Sequence, residues 1–189
     1  MSSRAAILAE LRAHISKVAP MRTGPPPVPT GIPALDEHIE GWPCPGVVAI
    51  HGAAGTGRIG LILPAIQSHT QAGRVVAIVD PVGWLHPPGL PDIHLQHLML
   101  VRCGAERAAW ATAQLASSGA LPLIILLDPP PLGRGANRMM HAAEVGQSTI
   151  AVLTERPEAH LCTPIRLRTL GCQQVQIERG APSQVVITL

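Results

Sequence analysis

The run Gly52-Ala53-Ala54-Gly55-Thr56-Gly57-Arg58-Ile59 follows a short apolar segment and precedes a stretch of helix length reaching about Thr70. Strand, glycine loop and helix in that order form the context of a phosphate-binding loop. Glycines at 52, 55 and 57 let the backbone curl until its N–H groups converge at the positive end of the following helix, where an anion is stabilised. Two chemical positions depart from that pattern. Arg58 stands where a compact lysine belongs, and its wide planar fork does not simply replace a point charge. Ile59 stands where serine or threonine would hold magnesium, and it carries no oxygen. Asp128 closes the apolar run LPLIILLD, as the metal-assisting aspartate of such a site would. Gly52, Gly55, Thr56, Gly57, Arg58 and Asp128 therefore read as a vestigial nucleotide site. Either it binds ATP weakly or it keeps the turn geometry with no ligand.

The elements that must position these residues are legible as alternating short apolar runs and helix-length stretches. VVAI at 47–50, VVAIVD at 75–80, LMLV at 98–101, LIILLD at 123–128 and STIAVL at 148–153 predict buried strands of a parallel α/β sheet. From about 165 to 189 the pattern becomes polar–apolar alternation, IRLRTL, QVQIER and QVVITL, with Gly171 and Gly180 between, which predicts an antiparallel extension. Pro64, inside the helix after the glycine loop, predicts a kink and a lost hydrogen bond. At the other end Ser3 can cap a helix whose Ile7, Leu11, Ile15 and Val18 share one face. That stripe must bury itself on its own domain or on a partner. Prolines 25, 26, 27 and 29 then impose an extended connector. The organisation expected is a helix over 1–20, a proline-rich linker over 21–30 and a core over 31–189.

Composition excludes several classes. Hydrophobic residues make up 47% of the 189 and charged ones 14%, too apolar for a disordered chain. The longest apolar stretch, Ala120–Leu127, is interrupted by Pro122 and is too short to span a bilayer. Glu10, Arg12 and Lys17 break any leader-like segment, so a cytoplasmic location without membrane contact is expected. Cys44, Cys103, Cys162 and Cys172 lie far apart with no paired spacing, the pattern of reduced thiols rather than a disulfide framework or zinc site. Net charge is +2, with residues 1–129 balanced and 130–189 holding six arginines against four glutamates. That is too weak a field to announce nucleic acid binding. Asp92, His94 and His97, with His86 nearby, and His160 with Cys162 and Cys172 have the atoms of a metal site. With nine histidines in the chain such proximity arises by chance, and no metal is assigned. No GxSxG elbow is present. Trp42, Trp84 and Trp110 are the sole aromatic residues apart from histidine; Trp42 and Trp84 are candidate interface anchors, with core packing the commoner fate.

VPTGIPALDEHIEGWPCPGVVAIHGAAGTGR, VVAIVD, SSGALPLIILLD and the RMM of the helix before STIAVL together resemble the core of the RecA recombinases. The resemblance spans about 28–170 and is strongest over Thr30–Arg58. It implies a RecA-like P-loop core with a mostly parallel central sheet, antiparallel C-terminal strands, and an N-terminal helix on an extended linker. In that family this helix docks on a neighbouring subunit, which makes Ile7, Leu11, Ile15 and Val18 candidate partner-binding residues. The family also places a catalytic glutamate two residues after the aspartate of the second strand, where this chain has Asp80-Pro81-Val82. Loss of a general base costs roughly 10² to 10⁴ in rate. No catalytic residue is expected.

The family's two DNA-contacting loops correspond to the short PPPLGRGANR and TERPEAHLCTP. Arg134, Arg138, Arg156, Arg166 and Arg168 are left as candidates for weak phosphate contact, against the plainer reading of a solvated arginine face. This pattern of losses is most similar to the ImuA group, RecA homologues that accompany an error-prone translesion cassette. That resemblance implies RecA, an ImuB-like polymerase-related protein and a translesion polymerase as partners, and an adaptor role in the DNA damage (SOS) response and mutagenesis exerted through protein contacts. The competing expectation is a slow P-loop ATPase with weak DNA binding, in which Arg58 substitutes for lysine and water for the missing hydroxyl ligand.

Overall fold

The computed structural model describes residues 27–171, 173–181 and 185–189. The helix read over 3–18, with Ile7, Leu11, Ile15 and Val18, and the linker up to residue 26 lie outside the described residues.

Eight strands form one sheet in the order β3-β2-β4-β5-β1-β6-β7-β8. They are β1 (Gly46–His51), β2 (Val76–Val79), β3 (Leu98–Val101), β4 (Leu123–Leu127), β5 (Thr149–Thr154), β6 (Ile165–Gly171), β7 (Gln174–Arg179) and β8 (Val185–Thr188). The helices are the short α1 (Pro33–Asp36), α2 (Arg58–Gln71), α3 (Ala108–Ser117) and α4 (Arg134–Gly146). β1 to β5 are mutually parallel, and β2, β4 and nearly all of β1 and β5 are buried. Their side chains alternate between two cores. Val48 and Ile50 of β1 pack with Leu61, Ile62 and Ile66 of α2, whereas Val47 and Ala49 pack with Met139 and Ala143 of α4 and Ala113 of α3. A three-layer sandwich results, with helices on both faces, as a mostly parallel sheet requires.

The C-terminal strands correct one expectation. β7 and β8 are antiparallel, but β6 runs parallel to β1, with Val48 opposite Ile165 and His51 opposite Arg168. Alternation reports which face is buried, not strand direction. The chain reaches β6 through the connection 155–164, which crosses from β5 past β1 with Leu161 buried in the α3–α4 core.

Pro64 lies within α2, which runs through it from Arg58 to Gln71. The carbonyl four residues back belongs to exposed Gly60, which water can reach, so the missing donor costs little. The linker's end is pinned: Val28 and Trp42 exchange both backbone hydrogen bonds, at 3.0 and 2.7 Å. Trp42 itself is 1% exposed, core rather than anchor. Among the described residues no helix is long and apolar enough to cross a membrane.

Candidate functional site

The glycine loop leaves the C-terminal end of β1 and runs into α2, in the strand, loop and helix order read from the sequence. Gly55 adopts φ +78° with open space where a side chain would stand, a conformation that β-carbon sterics disfavour. Gly52 is required for another reason. A β-carbon there would sit 2.0 Å from Thr169 Oγ1 and 2.7 Å from the Thr169 carbonyl oxygen, because β6 passes directly behind the loop. Thr56 faces the same way: its hydroxyl donates to the Ala53 carbonyl at 2.7 Å and lies 2.6 Å from Thr169 Oγ1. Beside them His51 donates from Nε2 to Glu178 Oε2 at 2.9 Å. Thr169 and Glu178 are 113 and 127 residues from their partners, and nothing local in the sequence signals either contact.

Arg58 and Asp128, 70 residues apart, meet across the end of β5. Nη1 of Arg58 donates to Oδ1 of Asp128, and Nη2 donates to Oδ2 at 3.2 Å. This two-pronged pairing matches the fork of a guanidinium to the two oxygens of a carboxylate. The arginine side chain is 10% exposed and the aspartate 29%. Asp128 sits at φ +36°, and its own N–H donates to the Leu153 carbonyl at 2.8 Å, which holds the carboxylate in place. Ile59 lines the same cavity with a hydrocarbon surface. With both Asp128 oxygens engaged by a cation and no oxygen at Ile59, the side chains present do not fit a magnesium-bound triphosphate.

The cavity at this point has a volume of about 430 Å³. Its walls are largely apolar, with Val82, Leu85, Leu127 and Leu153 joining Ile59, and Trp84 at the rim. The loop carrying Val82 and Trp84 is organised by Asp80, whose two oxygens accept from Gly83 N–H at 2.8 Å and Leu85 N–H at 2.9 Å. Asp80 is thus a buried structural acceptor. An aspartate three residues before a glycine is a local signature of such a turn, and it was available in the sequence. Trp84 is 72% exposed and Val82 47%, so the position two residues after Asp80 presents an isopropyl group to the cavity.

The candidate arginines are scattered. Arg134 and Arg138 are exposed on α4; Arg156 and Arg168 line a second, polar cavity that also contains Glu155 and Glu178. Arg166 donates to the Leu161 carbonyl at 2.9 Å, which holds the β5–β6 connection. His97 Nδ1 donates to the Thr70 carbonyl at 3.0 Å, tying the β2–β3 connection to α2.

Compared with known proteins, the chain matches no family model and no curated protein. Solved structures do match. The crystal structure of the RadB recombinase superimposes with a TM-score of 0.65, covering 83% of this chain and 92% of that one, at 16% sequence identity. The fold is RecA-like. In this RecA-like core the glycine loop after β1 and the aspartate after β4 hold the positions their sequence contexts assigned, with β5 between them. Identity at that level speaks for the architecture, and the departures at Arg58, Ile59 and Val82 are properties of this chain.

Proposed function

We propose that this RecA-like protein is a non-catalytic adaptor that acts by protein contacts in the response to DNA damage and in translesion mutagenesis, with RecA among its partners. The observation that carries the reading is the Arg58–Asp128 pair. A carboxylate needed for magnesium is neutralised by an arginine of the same chain. Ile59 and Val82 support it, since one removes a metal ligand and the other stands where the family's general base would. The similarity to the ImuA group supplies the context and the further partners, an ImuB-like protein and a translesion polymerase. In mechanism the adaptor mimics a subunit. Filament contacts are heterologous and head-to-tail, so a subunit that offers one side of the contact without a working nucleotide site caps or weakens the filament.

Calorimetric titration with ATP and ADP, with and without magnesium, followed by a phosphate-release assay on the same sample, tests this. The expected result is no turnover and no magnesium-dependent binding. Magnesium-dependent binding with turnover, removed by Asp128→Asn, would overturn it and establish the slow ATPase. One observation favours that second reading: Gly55 and Gly57 retain the left-handed conformations of a phosphate cradle.

A further inference from the structure

Trp84 stands between two cavities. On one side lies the largely apolar cavity of about 430 Å³ beside the glycine loop; on the other a cavity of about 470 Å³ walled by Pro129, Pro131 and the Thr154–Glu158 segment. Both are also lined by Asp128, so they adjoin each other at the C-terminal ends of β2, β4 and β5, with Trp84 and Asp128 as their shared wall. The indole between them is displayed by a braced loop. Asp80 holds the N–H groups on either side of Trp84, and Arg102 Nη2 donates to the Leu85 carbonyl at 3.3 Å. An exposed aromatic on a preorganised support has the properties of a binding anchor.

We infer that these adjoining cavities are a docking site for a peptide segment of a protein partner, with an apolar side chain entering the cavity beside Ile59 and a basic side chain following it across Trp84. The inference rests on the adaptor reading, and names the site through which the adaptor holds a partner. Three observations select the occupant. The first cavity has apolar walls, and its charged lining groups are Arg58, paired with Asp128, and the buried Asp80, whose oxygens are held by backbone N–H groups; with no cation left over it accepts an apolar group and disfavours a triphosphate. The second holds the exposed Glu155, and Glu158 fixed by the Leu132 and His160 N–H groups, against the single Arg156, a net negative charge that favours a cation. Their arrangement side by side is longer than either alone, which suits an extended chain with an anchor and a polar flank.

The test uses the isotope-labelled full chain and four probes: acetyl-Leu-Lys-amide, acetyl-Leu-Glu-amide, acetyl-Ser-Lys-amide and ATP. The readout is the Trp84 indole N–H and the Gly83 and Leu85 amide shifts, with the indole assigned through Trp84→Phe. The leucine–lysine probe is expected to shift these signals saturably, the leucine–glutamate probe to bind more weakly and the serine–lysine probe not to bind. Trp84→Ala, at an exposed position, is expected to leave the melting temperature unchanged and to weaken the leucine–lysine response roughly tenfold, the scale of losing one central aromatic anchor. No saturable shift with the leucine–lysine probe, or an equal response to all three peptides, would overturn the docking site. The ATP arm separates the two readings: silence toward ATP with silent peptides removes the docking site alone, whereas magnesium-dependent ATP binding with turnover removes the adaptor reading whatever the peptides do.

Discussion

A buried residue whose charge matters more than its neighbours suggest is His69, on the inward face of α2. Its side chain is buried, and Nδ1 has no hydrogen-bond partner. Burial first, and Arg74 nearby second, lower its pKa from 6.5 to about 4. The unfolded chain therefore takes up a proton between those values that the native chain refuses. Stability from this residue is present above pH 6.5 and is lost as pH falls toward 4, with a slope of at most about 1.4 kcal/mol per pH unit. Urea midpoints across that range should fall less steeply for His69→Leu than for the parent; parallel curves would show that His69 is not the titrating group. The Arg58–Asp128 pair belongs to the same scale. Each residue was visible as an oddity or a match in sequence, but their pairing depends on α2 and the end of β4 converging over β5, and no local pattern encodes that.

Among the elements, α3 and α4 approach each other at backbone distance. A β-carbon on Gly146 would lie 1.7 Å from the Ala116 carbonyl oxygen, so the end of α4 rests directly on the backbone of α3. Backbone cannot move aside as a flexible side chain can. Gly146→Ala should cost about 1–3 kcal/mol or more through overpacking, read as a lower urea midpoint, or fail to fold. An unchanged midpoint would mean that the helices separate freely. The strands of the parallel region were legible to within a residue or so because each is a short apolar run bounded by turn residues. β6 was legible as a strand and not as a parallel one. Its partner is chosen by the 155–164 connection, whose route past β1 depends on Leu161 finding a place in the α3–α4 core.

At the scale of the whole molecule, the adaptor reading predicts that contact with RecA depends on residues 1–20. Their apolar stripe, Ile7, Leu11, Ile15 and Val18, has the spacing of a docking face. Deleting 1–20 should abolish co-purification with RecA while leaving the melting temperature of the core unchanged; undiminished capture would sink the docking of that helix. The order of elements, the glycine loop, the aspartate at the end of an apolar run and the absent lysine, hydroxyl and glutamate are all local or periodic features. The sequence by itself therefore determined the alternating α/β order, since hydrophobic period and turn residues act over a few positions at a time, and its resemblance to the RecA recombinases supplied the list of chemical departures. Only the tertiary structure decided what the departures do together. It paired Arg58 with Asp128, buried Trp42 while exposing Trp84, and made Asp80 the brace of the loop that carries Trp84. Each of these depends on which distant segments the sheet order brings side by side, and burial and ion pairing are properties of that juxtaposition.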